Sequence, residues 1–191
     1  MPLPVAHVLL GAAIAERLVP RDLPRRGRLV GIAAGLTLLP DLDFVFVWVV
    51  GLERSWHRGF THSVVFAIGV AALLLLPRVT SARVCLAWTV ALLSHGLLDW
   101  STTLRGQGIE LWWPWSLERA KWSLFPLFEF SLPNALVPFE AALSVLYDAA
   151  VEAFFFLPLF LLSRSSLLRY DRANRRARAA DSIPQVPGWG R

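Results

Sequence analysis

A single cysteine in 191 residues excludes a disulfide framework within the chain and leaves no cysteine ligand set for a metal. That residue, Cys85, lies inside an apolar run, where a small buried or lipid-facing side chain is expected. Equally absent are a glycine-rich phosphate loop and a Ser, His and Asp spacing suited to nucleophilic catalysis, so the sequence gives no support to nucleotide-binding or triad chemistry. Residues 1–20 contain an apolar stretch but no basic n-region, and His7 interrupts it. They are therefore expected to stay in the mature protein rather than act as a signal peptide. The formal net charge of +5 needs no nucleic-acid partner, because short basic connections and attraction to anionic membrane lipids account for it.

What the chain has in abundance is apolar surface: 55% of residues are hydrophobic, nine are tryptophan, and the mean hydropathy is +0.52. This composition points to an all-α, multi-span transmembrane helical bundle with about four to five membrane-embedded helices. The expected segments are 5–18, 29–50 (broken by Pro40), 64–76, 84–100 and 135–162. Several fall short of the ~20 residues needed to cross a ~30 Å hydrocarbon core, so tilted, re-entrant or interfacial lying is expected for some. Residues 1–163 form the membrane-embedded domain with the metal site. Residues 164–191, with seven arginines and a Pro/Gly-containing end, read as a basic cytoplasmic tail, disordered beyond about residue 180.

Arginines set the orientation. The connection 20–28 carries Arg21, Arg25, Arg26 and Arg28, the connection 77–83 carries Arg78 and Arg83, and the tail carries the rest. The positive-inside rule places all three in the cytoplasm, leaving the N-terminus, 51–62 and 101–134 outside. The expected location is the inner (plasma) membrane.

All four histidines, His7, His57, His62 and His95, sit in polar islands bordering apolar segments, and every island falls near the outer face under that topology. Asp41 and Asp43 follow Pro40, which breaks the helix and lets both carboxylates turn toward one centre. Two adjacent carboxylates in an apolar segment repel unless a cation or protons intervene. His95 and Asp99 are four apart and share a helical face. In His57-Arg58-Gly59-Phe60-Thr61-His62-Ser63, the glycine permits a tight backbone, Thr61 could cap the next helix, and Arg58 suits a phosphate or carboxylate. The expected metal ligands are thus His7, Asp41, Asp43, His57, His62, His95 and Asp99. Mixed His and Asp ligands suit zinc, with manganese or iron as alternatives, and seven ligands fit two ions better than one. Asp41 or Asp43 would bridge the ions, Arg58 would steady an anionic substrate, and Thr61 and Ser63 would hydrogen-bond to the ligands.

These islands resemble the YdjM-type family of bacterial and archaeal inner-membrane proteins described as metal-dependent hydrolases. The likeness rests on His7, the Leu39-Pro40-Asp41-Leu42-Asp43 segment, the His57 to Ser63 island, and His95 with Asp99, over roughly residues 1–105. It implies a multi-span helical protein, a bound metal and hydrolytic activity, without a substrate. The His-x-x-x-Asp pair also bears an analogy to zinc-dependent phospholipase C. The aromatic stretch 108–130 suits the headgroup layer, as an anchor or an interfacial lid beside a site for a lipid or lipid-linked ester. Membrane lipids are the expected partners. Glu140, Asp148 and Glu152 fall roughly on one helical stripe and are expected to face the bundle interior, which motivates the alternative of a small transporter or metal-handling protein.

Overall fold

The computed structural model describes residues 2–75, 81–103, 107–122, 124 and 138–181. Helices dominate, and among these residues there is no strand, only one isolated antiparallel bridge between Ile109 and Ala120. In chain order they are α1 (Pro4–Leu18), α2 (Arg26–Leu36), α3 (Phe44–Trp48), α4 (Val64–Leu75), α5 (Ala82–Thr102) and α6 (Pro138–Asp181). Among the described residues two segments, Ala82–Thr102 and Phe139–Ser166, are long and apolar enough to cross a membrane. The count rises to four if each bent pair, Arg26–Leu36 with Pro40–Trp48 and Arg54–His62 with Val64–Leu75, makes one span. The breaks that Pro40 and the His57 island put into the apolar segments are real bends, of 40° and 56°.

Helix α1, with 15 residues, is too short to span at 1.5 Å per residue, yet it is the centre of the bundle and packs on α2, α5 and α6. Its small residues explain how. Ala12 and Ala15 of α1 pack with Ala33 and Ala34 of α2 and with Ala87 and Ala91 of α5. A Cβ on Gly11 would lie 2.3 Å from the Thr37 methyl, so only glycine allows this approach. Small faces let helix backbones come close where lipid supplies no hydrophobic drive. Cys85 is buried, as expected, and its thiol faces the Ala71 carbonyl.

Helix α1 has Pro4 in its first turn and no local side-chain cap. Its cap comes from α6: the Leu3 and Ala6 N–H groups donate to the buried carboxylate of Glu152, Ala6 at 2.9 Å. At the other end the Arg21 guanidinium lies 4.1 Å above the Tyr170 ring. Helices α1 and α6 therefore run parallel, and these two tie points lie 18 residues apart on α6, about 27 Å along its axis. Nearby, Arg26 pairs with the buried Glu16.

The acidic stripe does not face the interior as a unit. Glu152 is buried, but Glu140 is exposed and Asp148 only partly covered. At 3.6 residues per turn, an offset of eight residues leaves Glu140 and Asp148 about 80° apart, and Glu152 is the one of the three that receives N–H groups from the start of α1. Helix α6 runs on through Asp181, well beyond the expected end of the last span at 162. Arg78, the aromatic residues Phe125, Phe128 and Phe130, and the chain beyond 181 lie outside the described residues.

Candidate metal centre

The centre is assembled where the two bends meet α5. Pro40 ends the α2 trajectory in a single 3-10 turn, Pro40–Asp43, which puts Asp41 and Asp43 at the bundle interior. A second 3-10 turn, Phe60–His62, precedes α4 and presents His62. The cap of α4 is Ser63, not Thr61: the Ser63 hydroxyl accepts from the Phe66 N–H at 3.1 Å. That leaves Thr61 free to face inward.

Four donors converge. Asp41, His62, His95 and Asp99 each offer one ligand atom within 4.8 Å of all the others, and the group could hold a metal ion. The Nε2 atoms of His62 and His95 stand 3.1 Å apart. His62 Nε2 is 3.6 Å from Asp41 Oδ1 and 3.4 Å from Asp99 Oδ2. His95 Nε2 is 3.5 Å from Asp41 Oδ1 and 3.8 Å from Asp99 Oδ2. A tetrahedral ion with bonds of about 2.0–2.1 Å has donors about 3.3–3.4 Å apart, so these separations match the edges of such a shell.

The polar bookkeeping agrees with a cation. Asp99 is fully buried, and among the described residues neither of its oxygens has a hydrogen-bond partner; Asp41 Oδ1 is buried and unpartnered too. A fully buried carboxylate with no donor, facing a buried unpartnered oxygen of a second carboxylate, is costly unless a positive charge lies between them. The tautomer of His62 follows from its neighbours. The Thr61 hydroxyl donates to Asp43 Oδ2 at 2.9 Å, so its oxygen is left to accept from His62 Nδ1 at 3.1 Å. The Nε2 lone pair of His62 then faces the cluster, the usual arrangement of a metal-binding imidazole.

The three remaining expected ligands are placed differently. His7, in the first turn of α1, is fully buried, stacks on the His95 ring at 3.9 Å, and approaches Asp99 Oδ1 at 3.4 Å from the far side. Asp43 does not share a centre with Asp41. Its carboxylate accepts from His57 Nδ1 at 2.7 Å, the Arg58 N–H at 2.8 Å and Thr61. Asp41 and Asp43 thus flank His62 on opposite nitrogens, Asp43 Oδ2 lying 3.5 Å from Nδ1. His57 is held by Asp43 and lines an open cleft that also reaches Asp41. The tight backbone takes in Arg58 as well as Gly59, where an added Cβ would lie 3.2 Å from the Trp56 carbonyl oxygen: Arg58 has φ +62, a left-handed conformation that costs about 1 kcal/mol or more away from glycine. That turn aims the Arg58 N–H at Asp43, and among the described residues its buried Nε has no partner.

Two positioning features escape a reading of the chain alone. A Cβ on Gly96 would lie 2.7 Å from the His62 carbonyl oxygen, so the missing side chain is what lets the His62 turn sit against α5. A glycine beside His95 inside a helical run is the sequence signal for such an approach. The loop over residues 107–122 roofs the His57 island through bonds from the Glu110 N–H to the Arg58 carbonyl and from the Val64 N–H to the Leu111 carbonyl, both 3.1 Å. Arg119 clamps the same junction, donating to the His57 and Ser55 carbonyls and pairing with Glu110. Trp112, Trp115 and Trp122 of this loop are exposed.

A family profile described as YdjM inner membrane protein matches residues 1–170. Inner membrane protein YbcI of Escherichia coli (strain K12) is 37% identical over 148 residues, covering 73% of this chain and 84% of that protein. No solved structure matches.

Proposed function

Given that the chain belongs to the YdjM inner membrane protein family, we propose that it is a membrane-embedded, metal-dependent hydrolase of a phosphoester or lipid-type ester. The observation that carries this reading is the convergence of Asp41, His62, His95 and Asp99 directly beside the Asp43–His57 pair on an open cleft. Asp41, His62, His95 and Asp99 would hold one ion, zinc by its affinity for two imidazoles and two carboxylates, with manganese or iron as substitutes. When bound, such a cation supplies Lewis acidity, polarising an ester or phosphoryl oxygen and making a nearby water acidic enough to react at neutral pH. His7 would orient Asp99, and Thr61 with Asp43 would orient His62.

The chain's own residues do the proton work. Asp43 Oδ1 holds the Nδ1 proton of His57, so Nε2 is free to accept a proton from the attacking water and return it to the leaving oxygen. Asp43 stabilises the imidazolium formed in between. Arg58, beside that pair, would hold the developing negative charge of the substrate.

Assays of the detergent-purified protein against phosphodiester and carboxylic ester substrates test this. His57→Ala should keep its metal and lose about 10²–10⁴-fold in kcat, whereas His62→Ala should lose both metal and activity. Inactivity of metal-replete wild type on both ester classes, together with metal uptake into vesicles, would establish the transporter alternative instead. That alternative has lost one support, because Glu152 is occupied in capping α1.

We further infer that the centre lies toward the outer face and the end of α6 toward the cytoplasm. The Arg21–Tyr170 contact puts the basic α1–α2 connection and the basic end of α6 at one end of the bundle, about one hydrocarbon thickness from the level of Glu152. In intact cells a membrane-impermeant maleimide should label Ser101→Cys and spare Ser165→Cys; labelling of Ser165→Cys from outside reverses the orientation.

A further inference from the structure

The cleft that reaches Asp41 is built unlike a water-filled active site. It encloses about 400 Å³ between the N-terminal turn of α1 and the short helix α3, within the range usual for small-molecule sites. Leu3 and Pro4 form one wall, Phe44 and Trp48 the other. Its polar side chains are Asp41, which belongs to the four converging donors, and His57, which Asp43 holds. The cleft is therefore amphiphilic, apolar over most of its lining and polar at Asp41 and His57.

Its rim says what lies outside. Phe44, Val45, Trp48, Val49 and Val50 are all exposed and almost contiguous, and the first three belong to a bent apolar helix pair with the length and hydropathy of a broken span or a re-entrant loop. In water a face of this kind would be an aggregation liability, whereas against a bilayer it is an ordinary lipid contact. A second cleft, of about 210 Å³ near Ser55, Glu110 and Trp113, touches none of the four donors. The opening that leads to Asp41 is thus bordered by a lipid-type surface.

Resting on the hydrolase reading above, we propose that this cleft seats the hydrocarbon chain of a bilayer lipid ester, which enters sideways from the membrane and delivers its ester group to Asp41 and His57. Leu3, Phe44 and Trp48 then select for chain length, and the substrate class is a long-chain lipid ester rather than a water-soluble one. The α1 cap contributes directly: the bonds from Leu3 and Ala6 to Glu152 hold one wall of the cleft in place.

The test uses the full chain in phosphatidylethanolamine vesicles containing phosphatidylglycerol with a diazirine partway along one acyl chain. After irradiation, adducts are mapped by peptide mass spectrometry. Adducts are expected on Leu3, Pro4, Phe44 and Trp48, and Leu3→Trp, which fills the cleft, should reduce them several-fold while sparing adducts on the exposed Phe154 and Phe155 of α6. Phe44→Trp narrows the cleft from the opposite wall, so a folding defect in one variant leaves the other informative. Adducts confined to the α6 face, cleft adducts indifferent to both variants, or a second copy of the chain crosslinked there would each overturn the proposal. Labelling requires neither metal nor turnover, which separates the two readings. Cleft adducts without hydrolysis would remove the hydrolase and leave the lipid seat; hydrolysis of a short soluble ester without cleft adducts would do the reverse.

Discussion

Asp99→Asn is expected to empty the centre of metal while leaving the helical bundle folded. Asp99 is fully buried, both its oxygens lack hydrogen-bond partners among the described residues, and three imidazoles approach it. Asparagine keeps the shape but removes one of the two negative charges that balance a divalent cation. Loss of a residue that merely orients a ligand typically costs 10–100-fold in metal affinity, so loss of the ligand itself should exceed about 100-fold. The apo fold has reason to tolerate the change, because Asp41 and Asp99 repel each other without a cation and the new amide can donate to His62 or His95. Elemental analysis of the purified variant, together with thermal unfolding with and without added zinc, reads the effect. Wild type should gain stability from the ion by mass action and Asp99→Asn should not. Stoichiometric metal retained in the variant would remove Asp99 from the centre.

Gly96→Ala is expected to damage the same centre without touching a ligand. The added methyl would meet the His62 carbonyl oxygen at 2.7 Å, and that oxygen is backbone, so the His62 turn must move away from α5. Overpacking of this kind costs about 1–3 kcal/mol, against which alanine recovers up to ~1 kcal/mol of helix propensity. The displacement acts on the 3.1 Å His62–His95 separation, and metal affinity should fall about tenfold or more, equivalent to ~1.4 kcal/mol. Gly69→Ala in α4 is the control, since nothing lies within 4 Å of its added methyl. Its metal affinity should match wild type. Equal affinities for Gly96→Ala and Gly69→Ala would show that close approach of the turn to α5 is not what builds the site.

Much of the site is written locally in the chain. Asp41 after Pro40, His62 in its island, and the four-residue spacing of His95 and Asp99 are all short-range patterns, and each residue sits among the four converging donors. The pairing of Asp43 with His57 is not of that kind. Asp41 and Asp43 are interchangeable on paper, being two residues apart after the same proline, but the 3-10 turn sends them to opposite nitrogens of His62. The same limit applies to Glu152, whose apolar surroundings flag it as special while its partners lie 146 and 149 positions away. Arg58 carries the strained turn that its neighbouring glycine advertises.

By itself, then, the sequence determined an all-helical membrane protein, the places where its apolar segments break, and a pool of seven candidate ligands. Hydropathy, proline and helical spacing act within a few residues, and so they survive in a linear reading. Only the tertiary structure decided which four of the seven come together, that Asp43 and His57 form a separate pair, and that an apolar cleft leads to them. Those outcomes depend on helices meeting across long separations, 33 residues between His62 and His95, through contacts that tolerate a glycine and nothing larger. Such approach is a property of packed surfaces, and packing is settled by shape in three dimensions rather than by order along the chain.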